Sequence, residues 1–269
     1  MTSYRDAWGW KGTDRLSTLD IGRLRRVRFG PASPLRRPGR ARALLLGALA
    51  AALLALGACG GQSASTSTAQ AAPRARLTYV AIGASDSFGI GTDDPADESW
   101  PTDLADELGP SVHLVNLGIP GEQVGDALQN ELPVALDERP DVVTLWLGVN
   151  DFVAGTSADD FASGLRTLLD ALVAHTPARI AVGNLPDLTL LPAFASQDPD
   201  ALRTSVAEWN RHIATACAAA GPRVRLVDLY AGYAELAQHP EYIASDGFHP
   251  SALGARRLAD LFAAALAKP

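Results

Sequence analysis

A serine placed at the end of an apolar run is the first residue of this chain with an evident chemical use. Tyr79 to Ile82 form a short apolar run that predicts a buried strand, the run ends at Gly83, and Ser85 follows at the start of a turn marked by glycines. Open sheets of parallel strands bind their ligands at the carboxyl ends of the strands, so a serine at this point can serve as a nucleophile. The alternative is an ordinary turn residue or a helix cap.

An aspartate and a histidine lie three residues apart near the end of the chain. Asp246 and His249, with Gly247 between them and Pro250 after them, can share one turn just before a predicted helix. The carboxylate could then hold the imidazole in one tautomer and stabilise its protonated form. Histidine suits general base work near neutral pH. The alternative is a solvated loop in front of the helix.

Two further turns follow predicted strands and offer hydrogen-bond donors. The turn from Asn116 to Gly121 contains two glycines and a proline, and such a tight turn can aim a backbone N–H group into a crevice. Asn150 follows the apolar run 142–147, and its side-chain amide can donate to a developing oxyanion. The first turn can equally be an ordinary strand-to-helix loop, and Asn150 or Asp151 can cap the next helix.

The elements that must position these residues alternate between strand and helix. Five short segments rich in Val, Ile and Leu predict strands buried on both faces, at residues 77–82, 112–116, 142–147, 179–183 and 224–228. Helical patterns lie between them: one capped by Ser157, one over 198–220, and a last one that opens at Pro250. We therefore predict one α/β domain over residues 76–269, with a five-stranded parallel sheet covered on both faces.

The first 75 residues do not resemble folded protein. A basic region precedes Ala43 to Ala58, which is uncharged and consists of Ala, Leu and Gly, and this order is typical of a secretory signal. The ending Leu56-Gly57-Ala58-Cys59 resembles the lipobox of bacterial lipoproteins, in which Cys59 would be lipidated and become the first residue. We predict a signal peptide over 1–58, a flexible tether over 59–75 and a protein anchored outside the cytoplasm to the bacterial cell membrane. The alternative is an uncleaved membrane anchor.

Charge argues against two classes of partner. The chain has 23 basic and 30 acidic residues; residues 1–58 hold 11 and 3 of them, so 12 basic and 27 acidic residues remain. Such an acidic body is unsuited to binding nucleic acid or to docking on anionic lipid through a basic patch. Cys59 and Cys217 are the only cysteines, which leaves no disulfide once Cys59 is lipidated, and Cys217 is predicted to be a small core residue.

Four short blocks of this sequence, in this order, resemble those of the SGNH hydrolases, also called GDSL esterases and lipases. They are Gly83-Ala84-Ser85, the turn from Asn116 to Gly121, Gly148-Val149-Asn150-Asp151 and Asp246-Gly247-Phe248-His249-Pro250. The resemblance extends from about Tyr79 to the final helix. It implies a flavodoxin-like three-layer α/β/α sandwich, which agrees with the five-stranded parallel sheet predicted above.

The resemblance also implies a role for each site residue. Ser85 would be the nucleophile, His249 the general base and Asp246 the residue that orients the histidine. The oxyanion hole would consist of the backbone N–H groups of Ser85 and Gly121 and the side-chain amide of Asn150. The implied reaction is hydrolysis of a carboxylic ester by two-step acyl transfer through Ser85, with no metal or organic cofactor.

One position departs from the pattern of the family. An aspartate usually stands just before the serine, whereas this chain has Ala84 there and Asp86 after the serine. The family's aspartate ordinarily supports the turn rather than the chemistry, so the departure bears on the turn more than on the activity.

The segment after the fourth strand bears on the substrate. Pro186 and Pro192 oppose a regular helix through residues 184–194, whose apolar side chains include Leu185, Leu188, Leu190, Leu191 and Phe194. Some of these side chains can wall an acyl pocket, which would favour esters with short-to-medium acyl chains, or they can pack onto the edge of the sheet. Alternatives to the esterase are a carbohydrate O-deacetylase of the cell envelope and a catalytically inactive, lipid-anchored binding protein.

Overall fold

A sheet of five parallel strands forms the centre of the computed structural model, which describes residues 77–267 without the side chains of Tyr233 and Ala234. The strands are β1 (Leu77–Gly83), β2 (Val112–Asn116), β3 (Val142–Trp146), β4 (Arg179–Gly183) and β5 (Val224–Val227). Their order across the sheet is β2-β1-β3-β4-β5, and every neighbouring pair is parallel. The predicted fold class and the five predicted strands are confirmed, with ends that differ by at most one residue. The predicted burial on both faces holds for most residues of β1, β3 and β4. It is wrong for β2, whose residues are half-buried or exposed because this strand lies at an edge of the sheet.

The strand order reverses at the middle of the sheet. From β1 the chain steps outward to β2, then returns past β1 to β3 and continues the other way to β4 and β5. The connections that leave β1 and β3 therefore diverge, and the gap between them opens a crevice at the carboxyl ends of the strands. The residues that follow β1 and β3 lie at this crevice.

Helices cover both faces of the sheet. They are α1 (Ser85–Phe88), α2 (Trp100–Leu108), α3 (Val124–Asn130), α4 (Leu132–Asp137), α5 (Val149–Ala154), α6 (Ala158–His175), α7 (Pro199–Ala220), α8 (Tyr233–Gln238) and α9 (Ala252–Leu266). Short 3-10 turns occur at Leu188–Leu190, Pro192–Phe194 and Pro240–Tyr242. The helix predicted after Ser157 is confirmed as α6. The Ser157 hydroxyl caps its first turn by accepting a hydrogen bond from the Asp160 N–H at 3.0 Å.

The last helix begins two residues later than predicted. Ser251 caps α9 by accepting the Gly254 N–H at 3.2 Å, so the first helical residue is Ala252 rather than Pro250. Pro250 instead lies in an isolated β-bridge opposite Ile243. This bridge holds the segment before α9 extended, and it prevents the helix from starting at the proline.

Two apolar cores lie on the two faces of the sheet. On one face Leu165, Leu168 and Leu172 of α6 are fully buried in a cluster that also holds buried residues of β3, β4 and α7. On the other face Trp100 of α2 stacks on Phe262 of α9, with ring centroids 4.5 Å apart. Helix periodicity on α6, α7 and α9 therefore buries one stripe of each helix against a strand layer.

Several sequence predictions fall on residues that the structure does not describe. The signal peptide over 1–58, the tether over 59–75 and the lipidation site Cys59 all lie outside the described residues. Cys217 is described, and its burial in α7 confirms it as a core residue. Among residues 77–267 no helix is both long enough and apolar enough to cross a membrane.

Candidate active site

Ser85 lies at the sharp junction of β1 and the short helix α1. β1 ends at Gly83, α1 begins at Ser85, and Gly89 ends the helix in the left-handed region with φ of 103°. A Cβ atom on Gly83 would lie 2.0 Å from the Ser87 hydroxyl oxygen, so only glycine fits where the strand turns. The junction presents the Ser85 side chain at the carboxyl edge of the sheet, as the sequence predicted.

The turn after β2 braces this junction. The Asn116 side-chain amide donates to the Ser87 carbonyl at 2.6 Å, and its oxygen accepts from the Gly118 N–H at 3.1 Å. Gly118 lies so close to α1 that an added Cβ would be 2.6 Å from the Phe88 nitrogen and 2.9 Å from the Ala84 carbonyl oxygen. The turn from Asn116 onward thus packs directly against the backbone that carries Ser85.

A continuous chain of hydrogen bonds joins Ser85, His249 and Asp246. The distance from Ser85 Oγ to His249 Nε2 is 2.9 Å, and the distance from His249 Nδ1 to Asp246 Oδ2 is 2.6 Å. A carboxylate can only accept, so the imidazole donates from Nδ1 to Asp246 and accepts the Ser85 hydroxyl proton at Nε2. The structure thus brings the serine and the distant Asp246–His249 turn together in the order that serine nucleophiles require.

Asp246 also organises its own turn. Its Oδ1 accepts the backbone N–H groups of Phe248 at 2.9 Å and His249 at 3.0 Å, and Gly247 takes the positive φ of 73° that this turn needs. Partial burial alone would raise the pKa of the Asp246 carboxyl. The hydrogen bonds from the His249 side chain and from these N–H groups outweigh burial and hold that pKa below its ordinary value. Asp246 is therefore an acceptor for the imidazole across the neutral pH range.

Asn150 and Gly121 lie on two segments that are tied together. The Asn150 amide donates one hydrogen to the Glu122 carbonyl at 3.0 Å, and its second N–H remains available. Asp151 accepts the Val124 N–H with both carboxylate oxygens at 3.2 Å, and burial raises the pKa of Asp151 to about 6. Asn150 borders the cavity beside Ser85, whereas Gly121 is not among the residues that line it.

Two carboxyl groups with raised pKa values lie at the serine junction, the buried Glu131 and the half-buried Asp86. Glu131 is 1% exposed, its Oε1 accepts the Gly83 N–H at 3.0 Å, and its Oε2 has no hydrogen-bond partner among residues 77–267. Burial raises the pKa of Glu131 to about 8. Burial also raises the pKa of Asp86 to about 6, against the opposing Ser87 N–H and the His249 charge. Glu131 has no local signal in the sequence, because it lies between two short helices, far along the chain from Gly83.

An apolar cavity of about 130 Å³ opens beside Ser85. Of the segment 184–194, only Pro186 and Leu191 border it. Leu185, Leu188 and Phe194 are buried in the core instead, so the packing alternative holds for these three side chains. The other residues that border the cavity end or follow β1, β3 and β5, belong to the α8 and α9 region, or lie in the segment 242–250 before α9.

Metal ligands are not grouped in this part of the chain. Across residues 77–267 no three His, Cys, Asp or Glu side chains lie close enough together to hold a metal ion. The polar side chains that border the cavity are those of Ser85, Asn150 and His249, together with Asp86, Glu235, Tyr242 and Arg257.

Comparison with known proteins places this geometry in a family. Residues 77–257 match the model of the GDSL-like Lipase/Acylhydrolase family. An arylesterase of Vibrio mimicus is 26% identical over 202 residues, which are 74% of this chain and 92% of that protein.

Solved structures share the fold at lower identity. A lipase/acylhydrolase from Enterococcus faecalis is 20% identical, with a TM-score of 0.57 over 70% of this chain and 94% of that one. An acetyl xylan esterase from Geobacillus stearothermophilus is also 20% identical, with a TM-score of 0.56 over 72% of this chain and 95% of that one. Since the family model covers well over half of the chain, the protein belongs to the GDSL-like lipase/acylhydrolase family and is an ester-hydrolysing enzyme.

Proposed function

We propose that the protein is a serine esterase that hydrolyses carboxylic esters with short-to-medium acyl chains through an acyl-enzyme intermediate. The observation that carries the proposal is the hydrogen-bonded chain from Ser85 through His249 to Asp246 at the mouth of an apolar cavity. A hydroxyl bonded to a neutral imidazole that is itself bonded to a carboxylate is an activated nucleophile.

The first half-reaction forms the acyl-enzyme. Ser85 Oγ attacks the ester carbonyl carbon while its proton passes to His249 Nε2, and Asp246 stabilises the resulting imidazolium. The carbonyl oxygen becomes an oxyanion, which the Ser85 N–H, the Gly121 N–H and the free N–H of Asn150 stabilise. The intermediate collapses, the bond from carbon to the alcohol oxygen breaks, and His249 donates its proton to the departing alcohol.

The second half-reaction repeats these steps with water. His249 Nε2 accepts a proton from a water molecule as that water attacks the acyl carbon. The second tetrahedral intermediate then collapses, the Ser85 oxygen leaves and is protonated by His249, and the carboxylic acid is released. Enzyme and histidine return to their starting protonation states, so each turnover consumes one ester and one water.

A fluorophosphonate probe and a serine variant test the proposal together. Purified full-length wild-type protein should react covalently with the probe and hydrolyse p-nitrophenyl acetate, and Ser85→Ala should lose both properties by several orders of magnitude while remaining folded. An unlabelled, inactive wild type would support the alternative of a binding protein. Near wild-type turnover by Ser85→Ala would show that the nucleophile has been misassigned.

A carbohydrate O-deacetylase remains the second candidate function. One solved structure with this fold is called an acetyl xylan esterase, and an acetyl group needs little space beside the nucleophile. Rates that fall steadily from p-nitrophenyl acetate to p-nitrophenyl esters with longer acyl chains would favour this candidate over an esterase that prefers longer acyl chains.

We also propose that Cys59 anchors the enzyme by lipid to the outer side of the bacterial cell membrane. The support is the order of basic region, apolar run 43–58 and lipobox-like Leu56-Gly57-Ala58-Cys59. The tether proposed over 59–75 would give the catalytic domain reach from the membrane surface.

A further inference from the structure

Two helices near the end of the chain border the cavity beside Ser85. The residues that line it include those at the end of β3, the Phe248-His249 turn, Leu236 of α8 and Leu258 and Leu261 of α9. Of these two helices, α9 packs on the face of the sheet opposite to α6 and α7.

These leucines are only partly covered by protein. Leu258 and Leu261 pack against the core that contains Trp146 and Phe262, yet they stay half-buried, as does Leu236. All three border the cavity. Covering this apolar surface with a hydrocarbon group lowers the free energy. Water in such a cavity would find few hydrogen-bond partners.

Two charged residues that border the cavity, Arg257 and Glu235, form an ion pair with each other. Arg257 of α9 contacts Glu235 of α8 through Nε at 2.7 Å and through Nη2 at 2.9 Å, and its Nη1 lies 3.4 Å from Asp260. This two-point ion pair joins α8 to α9 across the cavity wall. Both charges therefore have an ion-pair partner, and the lining of the cavity is otherwise mainly apolar.

We infer that this cavity, which we call the α8/α9 pocket, binds the acyl chain of the ester, and that Leu236, Leu258 and Leu261 determine the preferred chain length. The inference rests on the proposed esterase function and specifies its substrate. A cavity of about 150 Å³ can hold a benzene ring, so the pocket of about 130 Å³ suits a hydrocarbon group of about six carbons. The preferred substrates are esters of aromatic carboxylic acids or of aliphatic carboxylic acids with a chain of about six carbons.

The test is the ratio of kcat/KM for p-nitrophenyl hexanoate to that for p-nitrophenyl acetate. Burial of one methylene group in the transition state is worth roughly fourfold in rate, so four should raise the wild-type ratio to roughly two hundred at most. Leu258→Trp fills the pocket and should return the ratio to near one. Leu253→Trp is the matched control, because Leu253 lies on the same helix and is 51% exposed. It should keep the wild-type ratio.

A second wall variant keeps the test informative if Leu258→Trp fails to fold. Leu236→Trp fills the pocket from α8 and should lower the same ratio, with folding of each variant checked by its thermal unfolding. A wild-type ratio near or below one, or a folded Leu236→Trp or Leu258→Trp that keeps the wild-type ratio, would overturn the inference. The assignment of the protein as a serine esterase with Ser85 as its nucleophile would survive that result provided that Ser85→Ala abolishes acetate hydrolysis, so the failure of the pocket and the failure of the nucleophile are distinguishable.

Discussion

Asp246 shows how one side chain serves structure and chemistry together. Its Oδ1 holds the turn through two backbone N–H groups, and its Oδ2 accepts from the His249 imidazole. The turn therefore positions the histidine and fixes its tautomer with a single carboxylate. The Asn150 amide likewise uses one hydrogen to tie two loops together, and its other hydrogen is the one that we propose as an oxyanion donor.

Asn150→Ala separates these two uses of the amide. If Asn150 stabilises the oxyanion, the variant should lower kcat by roughly a hundred- to a thousandfold with little change in thermal stability. Asn130→Ala is the control, because the Asn130 amide also bonds to Glu122, through the side chain at 3.0 Å, and does not border the cavity. A normal kcat in Asn150→Ala would restrict Asn150 to holding the loop.

At the scale of elements, the site depends on how closely the turn after β2 approaches α1. Gly118→Ala would place a methyl group 2.6 Å from the Phe88 nitrogen, and backbone cannot yield as a flexible side chain does. We expect α1 to shift and kcat/KM to fall at least about tenfold, because small misplacements of reacting groups are costly. The measurement is kcat/KM on p-nitrophenyl acetate, with circular dichroism to verify the fold.

Gly125→Ala provides the control for this effect of a single methyl group. Nothing lies within 4 Å of a Cβ added at Gly125, which is inside helix α3. Alanine favours a helix over glycine by about 1 kcal/mol, so this variant should be slightly more stable and fully active. Equal activity of the two variants would show that the close approach at Gly118 has no part in positioning Ser85.

A second element-level prediction concerns the carboxyl group of Glu131 under the end of β1. Its pKa rises from an ordinary 4.5 to about 8 in the folded protein. Between these pH values the folded chain keeps a proton that the unfolded chain has lost. The contribution of the Glu131 proton to the free energy of unfolding is therefore fully present below about pH 4.5. It is lost as the pH rises through about 8, and above that pH the free energy of unfolding no longer changes because of Glu131.

Glu131→Gln should remove this loss, since glutamine resembles the protonated acid and can still accept the Gly83 N–H. We expect the Tm of Glu131→Gln relative to wild type to rise between pH 5 and pH 8. The difference in unfolding free energy between the two proteins can change by at most about 1.4 kcal/mol per pH unit. This limit corresponds to roughly 3–6 °C in Tm per pH unit. The exposed Glu208→Gln on α7 is the control. Parallel Tm curves for Glu131→Gln and wild type would contradict a proton on Glu131.

The sequence predicted the elements that have a local signal. The strands buried on both faces are continuous apolar runs bounded by Gly or polar residues, and Ser85, Asn150 and His249 lie just outside such elements. The start of α9 was wrong by two residues, because the bridge from Ile243 to Pro250 is a tertiary contact. The pocket wall could not be predicted either, since half-buried leucines on α9 have the same periodicity as the buried core residues beside them.

At the scale of the whole molecule, an acidic catalytic body follows an N-terminal stretch that resembles a lipoprotein signal. Residues 59–269 hold 12 basic and 27 acidic residues, so electrostatic attraction to anionic lipid cannot hold them at a membrane. Attachment would then depend on lipid alone. A single acyl chain binds membranes only marginally, whereas the two chains of a diacylglyceryl group suffice for stable anchoring.

Cys59→Ser should therefore release the enzyme rather than merely weaken its attachment. We expect no incorporation of labelled fatty acid, altered processing on gels and transfer of esterase activity from the membrane fraction to the soluble fraction. Cys217→Ala is the control for the thiol, because Cys217 is buried in α7 and should leave labelling unchanged. If Cys59→Ser stays in the membrane fraction with unaltered labelling and mobility, the apolar run 43–58 is an uncleaved anchor. Activity on soluble p-nitrophenyl acetate should be equal in all three proteins, since Ser85 and its partners lie entirely within residues 77–267.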